Sequence, residues 1–178
     1  IYEYIRKWNS YLEERYAAEI MRTQMGWTED NHSFVVGPKE IHYTGEITEI
    51  TPSPFVRNVS MAMVPSGTYE AWREASKLFN IPGFEIHAYA FLAGFGSPLM
   101  QFTATPGASI ALQSGGSGTG KTGTLQAAVS VFASSPLLTM VEGGSTDNGL
   151  VQRMLGLKNV VFPMDEASNI ESKNLSYL

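Results

Sequence analysis

A glycine-rich stretch in the second half of the chain has residue types and a spacing suited to holding a polyphosphate. Residues 115–122 read G-G-S-G-T-G-K-T and match the pattern Gly-x-x-x-x-Gly-Lys-Thr. Glycines let backbone N–H groups crowd around phosphate oxygens, because no side chain blocks the approach. The ammonium of Lys121 can reach the β- and γ-phosphates, and the hydroxyl of Thr122 can ligate magnesium. The predicted cofactors are ATP and Mg²⁺, and the predicted nucleotide-binding residues are Gly115, Gly116, Ser117, Gly118, Thr119, Gly120, Lys121 and Thr122.

Such a loop holds phosphate where it joins a strand to a helix, because the helix N-terminus must point at the ligand. The short apolar run at residues 108–112 predicts a buried strand before the loop. Residues 124–129 predict a helix after it. A glycine-rich surface loop that matches by chance is the alternative, and this context argues against it.

A second motif places two carboxylates at the end of an apolar run. Residues 159–164 read N-V-V-F-P-M and are followed by Asp165 and Glu166, which is the pattern of a Walker B element. Asp165 is the predicted magnesium ligand, directly or through water. Glu166 is predicted to deprotonate the attacking water, so Lys121 and Glu166 are the predicted catalytic residues. A solvated acidic turn is the alternative, and Pro163 is unusual in a central strand because it cannot donate to a ladder.

The composition is that of a folded protein without cysteine. Hydrophobic residues make up 43% and charged residues 16%, which excludes a disordered chain. The formal net charge of −5 gives no overall basic footprint for nucleic acid, although ring-shaped motors often confine positive charge to a pore loop. Without cysteine there are no disulfides, thiolate zinc sites or cysteine nucleophiles. The widely spaced His32, His42 and His87 are interpreted as structural histidines. No apolar stretch is long enough to span a bilayer, so we expect no membrane partner. The absence of cysteine fits a reducing compartment, so we expect a cytoplasmic location.

Residues 1–83 predict a small α+β N-terminal region. Apolar residues recur at helical spacing from Ile1 to Ile20, which indicates an amphipathic helix that packs on a core and is ended by Gly26. The further predicted elements are a hairpin of residues 33–36 and 40–43 around Gly37-Pro38, strands at 47–50 and 60–64, and a helix at 69–79 capped at residues 66–68.

Pro82-Gly83 is the predicted boundary to a P-loop ATPase core at residues 84–178. This core is expected to begin with a buried apolar helix at 84–93. The phosphate-binding loop with its strand and helix follows, and then a strand at 137–142, a helix at 148–155 and a strand at 160–164. The alternation predicts an α/β fold, a P-loop NTPase parallel sheet flanked by helices. Three strands would leave a central strand exposed, and residues 171–178 predict the start of another helix. We therefore expect the core to be truncated after the Walker B strand, with its sensor and arginine finger beyond it.

Several short sequence motifs resemble those of the P-loop domain of phage and mobile-element helicase-like proteins. This group includes MCM-like, self-loading replicative helicases of the AAA+ class, and it was long described only as a conserved domain of unknown function. The matching motifs are residues 94–99 (G-F-G-S-P-L), 107–110 (G-A-S-I), 115–122, 125–128 (L-Q-A-A) and 165–166, with 26–27, 34–37 and 67–72 in the N-terminal portion.

The resemblance implies an ATP-driven DNA helicase or translocase that acts in phage or mobile-element replication. It also implies an AAA+-like fold, a homo-oligomer in the form of a hexameric ring, single-stranded or forked DNA as partner, and a bacterial cell or infected bacterial host. Gly123 departs from the family pattern, in which a second hydroxyl residue is frequent, and places a poor helix former in the first turn.

Two other classes of function stay open. The first is a non-translocating P-loop NTPase, either a switch or a small-molecule kinase. A GTP switch should show an Asn-Lys-x-Asp motif, which this sequence lacks, and a kinase would not need Glu166 beside Asp165. The second is an assembly subunit that uses nucleotide only as structural glue, for which no catalytic base is required.

Overall fold

The computed structural model of the 178-residue chain describes residues 1–15, 21–105, 107–134 and 147–165. These residues form a mixed α/β structure. The helices are α1 Tyr2–Arg15, α2 Arg57–Ala62, α3 Tyr69–Ser76, α4 Glu85–Gly96, α5 Lys121–Val129 and α6 Asp147–Leu155, and the 3-10 helices Lys77–Asn80 and Ser97–Phe102 follow α3 and α4. The strands are β1 Met21–Arg22, β2 Met25–Trp27, β3 Ser33–Val36, β4 Lys39–His42, β5 Ile47–Glu49, β6 Thr51–Pro52 and β7 Leu157–Lys158.

The described strands form one five-stranded sheet and one two-stranded sheet. The larger sheet has the order β5-β4-β3-β2-β7, with antiparallel pairs from β2 to β5 and a parallel pair between β2 and β7. The smaller sheet is the parallel pair of β1 and β6. The predicted hairpin is confirmed, because β3 and β4 pair on either side of Gly37-Pro38. Parallel pairing among the described strands is thus limited to two separate pairs.

The predicted edge strand at residues 60–64 is wrong, because α2 occupies most of this segment. Val56, Val59 and Met63 are buried together in the core, at the i, i+3, i+7 spacing of one helix face. Met61, between them, is exposed. The short apolar run fits either a strand or a helix locally, and burial of one helical face decides between them.

Gly26 does not end the first helix, as the sequence had suggested, but lies inside β2. Its φ of +99° is a backbone angle that residues other than glycine rarely adopt. An added Cβ would lie 1.4 Å from the carbonyl oxygen of Lys158 on β7. Glycine is therefore required here by the close approach of two strands that are far apart in sequence.

The predicted helix near the N-terminus is present as α1, but its apolar side chains are not buried among the described residues. Ile1, Ile5 and Trp8 are all at least half exposed, and the Trp8 ring stacks on that of Tyr11 with centroids 5.5 Å apart. The expected packing of this stripe on a core is therefore wrong for the described part of the chain.

The hydrophobic core lies between the larger sheet, α2 and α5. Met25, Val35 and Leu157 come from the sheet, and Val129 and Ala133 come from the end of α5 and the residues after it. The core and the sheet therefore contain residues from both sides of Pro82-Gly83. The division into residues 1–83 and 84–178 stays a prediction.

Two strands predicted around the site are absent at their expected positions. Residues 108–112 are irregular and mostly exposed, and no described strand pairs with them. The last strand is shorter and earlier than predicted, since β7 ends at Lys158 and residues 161–164 are irregular although largely covered. Asn159 has a φ of +60°, a left-handed conformation that asparagine tolerates, and this bends the chain out of the sheet. The predicted strand 137–142 and the helix start at 171–178 lie outside the described residues.

The predicted helix 69–79 and its cap are confirmed by α3 and the 3-10 helix after it. The Thr68 hydroxyl accepts a hydrogen bond from the Ala71 amide at 3.2 Å. The indole N–H of Trp72 donates to the Ser130 hydroxyl at 2.8 Å, which fastens α3 to the end of α5.

Helix α4 packs closely on α5, and the backbones touch at Gly94, where an added Cβ would lie 2.4 Å from the carbonyl oxygen of Ala128. Only one face of α4 is buried, because Ile86 and Tyr89 are exposed. The helix was expected to be buried all round beside a parallel sheet, and no such sheet lies against its outer face among the described residues. None of the described helices is long and apolar enough to cross a membrane.

Candidate phosphate-binding site

The glycine-rich loop leads directly into α5, as predicted from the sequence. Gly120 is the N-cap of this helix and has a φ of +83°, so the chain turns into the helix through a conformation that favours glycine. Its carbonyl accepts hydrogen bonds from the Thr124 amide at 2.9 Å and the Thr124 hydroxyl at 3.0 Å. Thr124 is buried, so the first turn of α5 is anchored. The loop therefore ends at a fixed helix N-terminus, the feature that attracts anions.

Lys121 folds back over the loop from the first position of α5. Its ammonium donates to the Ser114 hydroxyl at 2.6 Å, to the Gly116 carbonyl at 3.2 Å and to the Thr119 hydroxyl at 3.3 Å. The Ser114 hydroxyl is itself 2.8 Å from the Gly116 carbonyl. The positive charge is thus held over the loop by oxygen atoms, which phosphate oxygens can replace as acceptors.

The remaining predicted loop residues, Gly115, Gly116, Ser117, Gly118 and Thr119, are all exposed. Gly115 and Gly116 have no positive φ, and no described atom lies within 4 Å of a Cβ built at either position. The described fold therefore does not itself require glycine at these two positions. A ligand that lies against the backbone would require it.

Thr122 and Asp165 are brought together although they are 43 residues apart. The Thr122 hydroxyl donates to a carboxylate oxygen of Asp165 at 3.1 Å. These are hard oxygen donors of the kind that Mg²⁺ takes, and they are the two metal ligands predicted from the sequence, so the residues fit this ion. The described residues contain no cluster of three or more histidine, aspartate or glutamate residues that could hold a metal ion, so Asp165 is not part of such a cluster. Glu166, the predicted catalytic base, lies outside the described residues.

His87 lies beside the loop, although no motif in the sequence placed it there. Its Nε2 is 2.9 Å from the carbonyl oxygen of Thr119, and its Nδ1 is buried without a described hydrogen-bond partner. A Cβ added to Gly120 would lie 3.4 Å from Nε2. Ser114 was also missed. No local pattern marks His87, because it is 32 residues from Thr119 and only the packing of α4 against α5 joins them.

The turn before α4, the helix that contains His87, is held by the first residue of that helix. The Gly83 amide donates to the carboxylate of Glu85 at 3.0 Å. This bond lowers the pKa of Glu85 below its ordinary value and keeps a negative charge at the helix N-terminus. The turn at Gly83 is therefore joined to α4 two residues before His87.

A cleft of about 430 Å³ lies apart from the loop, and its lining includes β1, β3 and the turn after β2. Arg22 lies in this cleft and donates two hydrogen bonds to the carboxylate of Glu40, at 2.7 and 2.8 Å. These bonds hold the pKa of Glu40 below its ordinary value. Because the arginine charge is already neutralised, this cleft is a weaker candidate for phosphate than the loop.

Comparison with curated proteins and with solved structures finds no match. One protein family matches residues 2–178, nearly the whole chain, and its description is Domain of unknown function (DUF927). This agrees with the coarser part of the resemblance in the sequence, the part that pointed to a conserved domain of unknown function. The protein belongs to the family described as Domain of unknown function (DUF927).

Proposed function

We propose that this chain is the nucleotide-binding part of an ATP-hydrolysing motor that acts as a DNA helicase or translocase. The observation that carries the proposal is the approach of Asp165 to Thr122 at the start of α5, directly after the loop that Lys121 covers. Three groups predicted from two distant motifs therefore meet at one helix N-terminus. A chance glycine-rich loop gives no reason for a carboxylate 43 residues away to lie there.

We also propose that the fold is that of an AAA+-like P-loop NTPase with a parallel sheet. Its support is the passage from loop to helix through Gly120 and the position of Asp165 after β7. The helicase assignment rests on the resemblance of the sequence motifs to those of the helicase-like proteins. The hexameric ring and the DNA partner rest on that resemblance as well.

In this proposal each residue has a separate task. The loop amides and the N-terminus of α5 bind the phosphates, and Lys121 balances the charge of the β- and γ-phosphates. Thr122 and Asp165 would hold Mg²⁺, which when bound neutralises charge on the phosphate oxygens. Glu166 orients the attacking water and accepts its proton.

Substitution of the two predicted catalytic residues tests the ATPase assignment. Lys121→Ala should lower kcat/KM by about a hundredfold or more, because an electrostatic partner of the transition state is lost. Glu166→Gln should lower kcat by about 10²–10⁴-fold while ATP still binds, because only the base is removed. Lys39→Ala, at an exposed position on β4, is the matched control and should leave both quantities unchanged. Turnover like that of the wild type in Glu166→Gln would remove the base assignment.

The motor assignment is tested by ATP hydrolysis of the full-length protein with single-stranded DNA, with double-stranded DNA and without DNA. A motor should hydrolyse ATP faster when DNA is present. Phosphoryl transfer to a small metabolite, without an effect of DNA, would indicate a kinase. Nucleotide-dependent assembly without turnover would indicate a structural subunit.

A further inference from the structure

We propose that His87 is a positioning residue of the phosphate loop, which orients the peptide between Thr119 and Gly120 from outside the loop. The inference rests on the proposed nucleotide-binding function. Its basis is the contact of 2.9 Å between Nε2 of His87 and the carbonyl oxygen of Thr119. The histidine lies on α4, a different element from the loop and from α5.

The contact determines which ring nitrogen carries the proton. A carbonyl oxygen can only accept, so Nε2 of His87 must be the N–H donor. Nδ1 is buried and has no described hydrogen-bond partner, so a proton on this atom would be an unsatisfied buried donor. Both observations favour a proton on Nε2, which donates one hydrogen bond to the loop.

This hydrogen bond also orients an amide of the loop. In a trans peptide the C=O of one residue and the N–H of the next point in opposite directions, and the described chain contains no cis peptide bond. With the Thr119 carbonyl directed at α4, the Gly120 N–H is directed away from α4. We infer that this is the side on which phosphate binds.

A peptide at this position needs such a restraint. Gly118 and Gly120 stand on either side of Thr119, and glycine lets a neighbouring peptide rotate at little cost. His87 is itself held in place, because its ring lies 5.3 Å from that of Phe84 and α4 touches the backbone of α5 at Gly94. His87 therefore restrains the loop from two packed helices. This restraint reduces the conformational entropy that the loop loses when a ligand binds.

The test compares two replacements of similar length that differ in the donor. Gln at position 87 can donate a side-chain N–H, and Met cannot. In the full-length protein, His87→Met should weaken Mg–ATP binding about two- to tenfold, the effect of one neutral hydrogen bond. His87→Gln should stay within about twofold of the wild type. His42→Met, at a half-buried position of β4, is the control and should not change binding.

The measurements are the Kd for Mg–ATP from calorimetry and the melting temperature of each variant without nucleotide. We expect equal melting temperatures for the Gln and Met variants and different affinities, which a role in packing alone would not produce. The proposal is overturned if the Met variant binds as tightly as the wild type, or the Gln variant as weakly as the Met variant. It is overturned too if neither variant folds, because packing would then be the contribution of His87. A wild-type protein that takes up no Mg–ATP would instead refute the proposed function.

Discussion

Replacement of Gly26 by alanine should break the contact between β2 and β7. The new Cβ would lie 1.4 Å from the carbonyl oxygen of Lys158, about the length of a covalent bond, so one strand must move. The strands are joined at Met25–Leu157 and Gly26–Lys158, and the Met25 amide also donates to the Gly156 carbonyl at 2.8 Å. Displacement of β7 would loosen the segment that leads to Asp165.

Two effects add up at this position and can be separated. Alanine at a positive φ costs about 1–2 kcal/mol of folding free energy wherever it occurs. The collision with the Lys158 backbone adds about 1–3 kcal/mol, as for other overpacked sites. Gly45→Ala is the matched control, because Gly45 has a φ of +88° and no atom within 4 Å of an added Cβ. We therefore expect a loss of about 2–5 kcal/mol for Gly26→Ala and of about 1–2 kcal/mol for the control.

The assay is urea unfolding of the wild-type protein and both variants, followed by circular dichroism, with the free energies extrapolated to water. The wild type and Gly45→Ala should also bind Mg–ATP equally well. Equal destabilisation by the two substitutions would refute the reasoning, because it would show that the Lys158 carbonyl does not press on Gly26. A change confined to the slope of the urea dependence would point instead to a change in compactness.

Further predictions concern the helix contact, the acid dependence of stability and the metal. Gly94→Ala should lower the free energy of unfolding by about 1–3 kcal/mol, because its Cβ would meet the carbonyl of Ala128, whereas Gly96→Ala, which meets no neighbour, should not lower it. Glu40→Gln should cost about 1–3 kcal/mol at neutral pH, because the bidentate pair with arginine is lost. Because the pKa of Glu40 is lowered in the folded state, this stabilisation is present above pH 4.5, the ordinary pKa of glutamate, and is lost as the pH falls through the folded pKa. The free energies of urea unfolding of the wild type and of Glu40→Gln should therefore converge in acid. A difference that stays constant with pH would contradict this prediction. Asp165→Asn should raise the Mg²⁺ concentration needed to support ATP binding about 10–100-fold, as a magnesium titration would show. Nucleotide binding without metal should be unchanged.

The loop and its helix were predictable from the sequence because their signals are local. The pattern that ends in Gly120, Lys121 and Thr122 needs only eight consecutive residues, and the helix that follows is read from its neighbours. The hairpin around Gly37-Pro38 was predictable for the same reason, since turn residues separate two short strands. Asp165 could be recognised as a partner of Thr122 only because the two motifs are known to occur together.

The segments predicted wrongly are short apolar runs. Residues 60–64 were expected to be a strand and lie largely in α2, and residues 108–112 were expected to be a strand and are irregular. A run of five residues, four of them apolar, has no distinct period, so its secondary structure depends on which partner buries it. Gly26 was misassigned because its partner, Lys158, is more than a hundred residues away in the sequence.

The amino-acid sequence alone determined the chemical groups of the candidate site, because glycines, a lysine, a hydroxyl and carboxylates have their properties wherever they lie. It also determined that a helix follows the loop. Tertiary structure decided which groups meet: Asp165 with Thr122, His87 with Thr119, and the backbone of Gly26 with Lys158. The physical reason is that contacts between distant segments depend on how the helices and the sheet bury their apolar faces together, and no single stretch of the chain contains that information.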